Sequence, residues 1–299
     1  MAALALLVTT AIWGWTFVLV KEAMAEVGPF WFLAIRFLLA TFLALPFVRR
    51  GKMRWKEAAI LGFFLFLGYF FQTWGLRYTT AQKSGLITGL SVVLVPLVAR
   101  FFGEKVTLRT GFGVVFAAAG VVLLALGGEE ALGPTGFGDF LTVICAISFA
   151  LYIVLLARYA KGERAGPLLP GQLGAVAGLS ALGAGIFGEA TWSLSPAVWR
   201  AILITGTLAS TLAYYILTWA ESRASATETA VILAMEPVFA GLFGWALRGE
   251  ALTSVQLLGG VLVLAGMIVA SIIDGGKAGP DNPAPGGMSE RQGAGLENR

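Results

Sequence analysis

Long apolar runs separated by short polar breaks recur from one end of the chain to residue 273, and no stretch shows the strict alternation of a half-buried strand. About 20 apolar residues in helical geometry cross the hydrocarbon core of a bilayer. That length places spans near 2–20, 30–48, 57–76, 83–101, 108–127, 138–158, 168–188, 196–220, 227–247 and 254–273. The pattern therefore predicts an all-α integral membrane protein with ten transmembrane helices joined by short connections. The first run is apolar from its second residue, lacks a basic leader and meets Lys21 without a small-residue cleavage site, so it reads as a retained span. Residues 274–299 hold seven glycines and three prolines and read as a disordered tail.

Sliding the sequence by 146 residues sets "RFFGEKVTLRTGFGVVFAAAGVV" (100–122) against "ALRGEALTSVQLLGGVLVLAGMI" (246–268). Tyr69 then meets Tyr215, Arg77 meets Arg223, Gly103-Glu104 meets Gly249-Glu250, Gly113 meets Gly259 and Gly120 meets Gly266. Two halves follow, residues 1–128 and 129–273, with five spans each. An odd number of spans makes the second half enter the membrane from the opposite side, so the repeats are inverted around a central cavity.

Composition agrees with that division and removes other classes. The chain is 58% hydrophobic and 13% charged, with mean hydropathy +0.82, more apolar surface than a water-soluble core could hide. It has no histidine and one cysteine, Cys145, which excludes an intrachain disulfide and a Cys/His metal centre. No cofactor is implied, no serine sits with a base, and "GVVFAAAG" is helix packing rather than a phosphate loop, so no enzyme is expected. The net charge of +4 leaves no nucleic-acid footprint.

Fifteen basic residues fall on one side of the expected spans: Arg49, Arg50, Lys52, Arg54, Lys56, Arg100, Lys105, Arg109, Arg158, Lys161, Arg164, Arg223, Lys277, Arg291 and Arg299. Lys21, Arg77, Lys83, Arg200 and Arg248 make five on the other, and Arg36 lies within the second span. The positive-inside rule puts both termini, and the tail, in the cytoplasm.

Polar groups inside the spans mark the candidate pathway. Glu236 and Pro237 sit in "LAMEPVFAGLFGWALRGE" (233–250), where the proline removes the helical donor to Leu233 and a charge is costly unless compensated. The carboxylate either ties helices together, with Arg36 as a partner, or faces the pathway. Thr207, Thr211, Tyr214 and Thr218 recur at helical spacing along the eighth span, and Ser84, Thr88 and Ser91 follow Lys83 along the fourth. Back-bonding to the preceding turn is the alternative for each threonine, and reaching to the interface the alternative for Lys83. Trp13 with Thr16, and Tyr69, Tyr152, Tyr214 and Tyr215, lie deep enough to offer rings and phenols to a solute. Trp31, Trp55, Trp192 and Trp199 lie near span ends as interface anchors. A second helix break is expected at Pro96.

Ten spans in inverted fives, "GE" closing the fourth span of each half and "EP" in the ninth resemble the EamA branch of the drug/metabolite transporter superfamily. The first repeat departs from the pattern, with Leu90-Ser91 where the second has Glu236-Pro237. Within the branch the chain resembles the bacterial aromatic amino-acid exporters of the YddG type. The resemblance implies a monomeric inner-membrane transporter that works by alternating access on a small-molecule substrate, an amino acid or similar metabolite. The expected cavity is lined by the first, third, fourth, sixth, eighth and ninth spans. Export of another metabolite or drug remains open, as do a non-transporting scaffold and a lipid scramblase.

Overall fold

A computed structural model describes residues 1–47, 54–79, 81–127, 136–160, 165–192, 194–248 and 253–271. The motif Gly249-Glu250 and the tail 274–299 lie outside the described residues, as does the side chain of Lys83.

The described chain is helical: α1 (Ala2–Ala23), α2 (Pro29–Ala44), α3 (Trp55–Gly75), α4 (Ala81–Gly89), α5 (Ser91–Phe101), α6 (Leu108–Leu126), α7 (Phe137–Ala160), α8 (Ala165–Phe187), α9 (Pro196–Ile204), α10 (Ala213–Glu221), α11 (Ala226–Leu233), α12 (Glu236–Arg248) and α13 (Ser254–Ser271). Eight helical stretches are long and apolar enough to cross a membrane, and the apolar cores of α6 and α13 are slightly shorter. Pro29 and Pro196 open α2 and α9, positions where a missing N–H leaves no bond unmade. Ser225 and Glu228 form a reciprocal cap on α11.

Large apolar side chains point outward all round the molecule, among them Phe42, Phe101, Leu108, Phe112, Ile186 and Val261. Water would penalise such a surface, whereas hydrocarbon matches it. Trp55 and Trp192 are exposed near helix ends, and Trp31 donates from its indole to the Thr191 carbonyl while meeting Trp192 edge-on at 5.1 Å.

Small residues set the helix spacing. A Cβ on Gly113 would stand 2.9 Å from the Gly266 carbonyl oxygen, and one on Gly266 2.6 Å from that of Gly113. Gly120 and Gly259 repeat the relationship at 2.6 and 2.8 Å, so α6 and α13 touch backbone to backbone. Gly14 likewise admits α12 against α1: its Cβ would lie 2.9 Å from the Glu236 carbonyl oxygen. Gly103 takes φ +84° after α5, a conformation glycine reaches without steric cost. The turn delivers Glu104 to the start of α11, where its carboxylate accepts from the Thr227 N–H at 3.3 Å and hydroxyl at 2.9 Å.

Three stretches depart from simple continuous spans. The fourth breaks at Leu90, between α4 and α5, and not at Pro96, which α5 carries in its interior. The ninth breaks at Ala234-Met235, so that Pro237 becomes the second residue of α12, where it needs no donor. Gly89 stands close to Pro237, bringing the two broken helices together at their breaks. In the eighth, residues Thr205–Leu212 form a π-helix between α9 and α10. Its wider turn shifts the register, so the expected stripe of hydroxyls does not run straight down one face.

Candidate functional site

The two breaks flank one cavity of about 840 Å³, open mouth included. It is walled by α1, α3, the α4–α5 break, α7, α10 and the α11–α12 break, with Arg36 of α2 added. Arg36 extends the lining to a span that the sequence had not assigned to it.

Aromatic rings form one wall, and hydrogen bonds fix Trp13 and the three tyrosines. The Trp13 indole donates to the Ala209 carbonyl in the π segment at 2.8 Å, and its ring lies 5.5 Å from Tyr214. The Tyr214 hydroxyl donates to that of Tyr69 at 3.1 Å, and Tyr69 meets Phe149 edge-on at 5.4 Å. Tyr152 stands 5.9 Å from Tyr214 and donates to Gln172 at 3.0 Å. Edge-to-face contacts of this kind contribute about 0.5–1.5 kcal/mol each beyond area burial, so the wall is preorganised.

A guanidinium and a carboxyl group face the same space. Arg36 is 3% exposed, donates from Nε to Ser210 Oγ at 2.8 Å, and places its guanidinium carbon 4.8 Å from the Tyr69 ring centroid. A desolvated cation over a ring gains about 2 kcal/mol, less than full compensation for burying the charge. Glu236 opens α12, where the helix N-terminus favours a negative group. Among the described residues Arg36 and Glu236 form no ion pair, whereas Arg54 and Glu57 do, at 2.7 Å. The expectation that Arg36 ties down Glu236 is therefore not met: both line the cavity without bridging it.

Trp13, Thr16, Tyr69, Thr88, Tyr152, Tyr214 and Glu236 line the cavity, together with Pro237. Thr88 accepts from Gln72 at 3.3 Å, and Gln72 is itself a lining residue missed in the sequence. Thr211 lies behind the wall, donating to Gly206 and Ala40 carbonyls. Thr218 is also behind it, donating to the Tyr214 carbonyl at 2.6 Å and accepting from Gln172. Their hydroxyls brace the rings and do not reach the cavity. Tyr215 points the other way, partly exposed and packed on Phe47 at 4.6 Å. Pro96 is likewise absent from the lining. Arg36 had a signal in the sequence, a lone arginine within an apolar run, but its neighbours could not be read there.

Membrane-length helices with an apolar exterior and a polar, ring-walled cavity define a multi-pass membrane protein of transporter type. The chain belongs to the EamA-like transporter family, whose sequence profile matches residues 1–126 and 136–272. An uncharacterized transporter of Archaeoglobus fulgidus is 35% identical over 91% of this chain and 86% of its own. The uncharacterized inner membrane transporter YedA of Escherichia coli K12 is 29% identical over 86% of this chain and 87% of its own. A protein of known crystal structure superposes with a TM-score of 0.73 at 23% identity, covering 91% of this chain and 96% of that one.

Proposed function

We propose that the chain exports neutral amino acids, aromatic ones foremost, across a bacterial inner membrane by alternating access. The observation that carries the reading is that a guanidinium, Arg36, and a carboxyl group, Glu236, line one aromatic cavity without bridging each other. A zwitterion offers a carboxylate to the first and an ammonium to the second, and its side chain can lie against Trp13, Tyr69 and Tyr214. Each charged end replaces a missing partner, so bound solute relieves desolvation that the empty site carries. A purely apolar solute would relieve neither charge.

Alternating access in this reading rocks two inverted five-helix halves, ten spans in all, within one monomer. Support comes from the glycines that pair under the 146-residue shift. Gly113 contacts Gly266 and Gly120 contacts Gly259, the reciprocal pattern that a two-fold relation between α6 and α13 would create. The export direction and the YddG-type comparison rest on family resemblance, and the cytoplasmic placement of both termini rests on the charge bias of the loops.

Liposomes containing the purified chain test the proposal with labelled tryptophan, phenylalanine, aspartate and lysine. Tryptophan and phenylalanine should cross fastest. Equal rates for all four would remove the aromatic zwitterion from the reading, and no protein-dependent flux of any solute would return the chain to a scaffold role.

A further inference from the structure

A second buried carboxylate lies outside the cavity lining. Glu221 ends α10, is 1% exposed, and has no hydrogen-bond partner for either oxygen among the described residues. Thr229 of α11 lies against it, fully buried, and its hydroxyl is also without a partner. Two adjacent, sealed and unsatisfied polar groups are costly, about 1–3 kcal/mol for each neutral one and more for a charge.

The surroundings oppose an ionised Glu221. The charged groups that face it are both acidic, Glu104 from the turn after α5 and Glu228 of α11. Glu104 is already engaged with Thr227, and Glu228 with the Ser225 cap. Tyr152 of α7 faces it from the cavity wall, with its hydroxyl committed to Gln172. No Lys or Arg among the described residues balances the carboxylate. The Thr229 hydroxyl can offer only one hydrogen to the two carboxylate oxygens, so an ionised Glu221 keeps at least one sealed oxygen without a donor.

We propose that Glu221 and Thr229 form a proton-binding site separate from the substrate cavity. The carboxylate takes up one proton to become the neutral acid, whose O–H donates to the Thr229 oxygen. Both orphaned groups are then satisfied and no third negative charge stands beside Glu104 and Glu228. The site lies between the cavity wall at Tyr152 and the α10–α11 turn, Ser222–Ser225, where opening of the turn exposes the acid to water. Release of the proton there recreates a buried charge that the closed packing disfavours, so the closed arrangement and the protonated acid support one another.

Infrared spectroscopy of the purified full chain in an ester-free detergent tests the site without reference to any transported solute. The wild-type protein should show the carbonyl stretch of a protonated carboxylic acid at neutral pH, and lose it reversibly as the pH is raised while the helices stay intact. Glu221→Gln should remove that component, Glu236→Gln should leave it, and Thr229→Val should shift it to higher frequency by deleting its hydrogen-bond acceptor. If Glu221→Gln does not fold, the Thr229→Val shift and the wild-type titration decide the matter. A spectrum unchanged by Thr229→Val and Glu221→Gln, or a band that persists until the protein unfolds, would overturn an exchangeable proton at this pair. Failure of tryptophan flux in liposomes would count against the cavity reading alone.

Discussion

Arg36 lies over the Tyr69 ring, its guanidinium carbon 4.8 Å from the centroid and one terminal nitrogen 3.5 Å from the phenol oxygen. The arginine is thereby held in place by a ring and a serine, leaving its charge available to the cavity. Arg36→Gln should lower tryptophan flux roughly tenfold or more, since hydrogen bonds to charged groups contribute about 1.5–3 kcal/mol. Arg36→Lys keeps the charge but loses the planar contact, and should fall between the two. Initial rates across a substrate series will show the loss mainly in KM. Unchanged rates in a folded Arg36→Gln protein would make the arginine a structural residue.

Glu236 has no described partner to lose, so Glu236→Gln should fold with wild-type yield and melting temperature. Flux should nevertheless change, because the potential acting on a zwitterion in a low-dielectric cavity has changed. Normal transport by the Gln variant would assign the carboxylate no part in recognition, leaving only the helix break in that stretch.

Gly120 faces backbone on α13, with atoms of Gly259 and Val263 at 2.6 and 2.7 Å from a Cβ. Backbone cannot swing aside as a side chain would. Gly120→Val should therefore cost about 1–3 kcal/mol by overpacking, read as a lower melting temperature. Gly178 in α8 has open space around its Cβ position, so Gly178→Ala should be neutral or raise stability by up to about 1 kcal/mol. Equal effects at the two sites would mean that α6 and α13 do not meet through their glycines.

Glu104 caps α11 from the other half of the chain. Glu104→Ala should destabilise by about 1 kcal/mol, typical for a lost N-terminal acceptor, and Glu104→Gln by less because an acceptor oxygen remains. Thermal melts of the two variants should rank in that order.

Orientation is testable with cysteines at exposed positions, because Cys145 is fully buried and should resist impermeant reagents. Trp55→Cys should be labelled from the cytoplasmic side and Trp192→Cys from the periplasmic side. The opposite result would reverse the topology and with it the direction assigned to the cavity.

The class of protein was legible in the sequence because span length and apolarity are local properties of a run of residues. The repeat of the glycines was also legible, since Gly113 and Gly120 recur as Gly259 and Gly266 under one shift, but that Gly113 meets Gly266 and Gly120 meets Gly259 was decided by packing. Pro237 announced a break for a covalent reason, its missing donor. Leu90 announced nothing: its break accompanies the close approach of Gly89 to Val121 and Pro237, a contact between distant parts of the chain. Pro96, with the same covalent defect as Pro237, stayed inside α5, so the proline alone does not decide. The threonine stripe failed for a related reason, because a π segment changes which way each residue points and the sequence pattern assumed 3.6 residues per turn. Charge was hardest to read. Whether Arg36 meets Glu236, and whether Glu221 at a helix end meets water or is sealed against Thr229, depends on which helices are neighbours. Sequence determined how many apolar segments there are and which polar residues they carry; tertiary packing decided which of those residues share a cavity, since desolvation and pairing exist only between groups that the fold brings together.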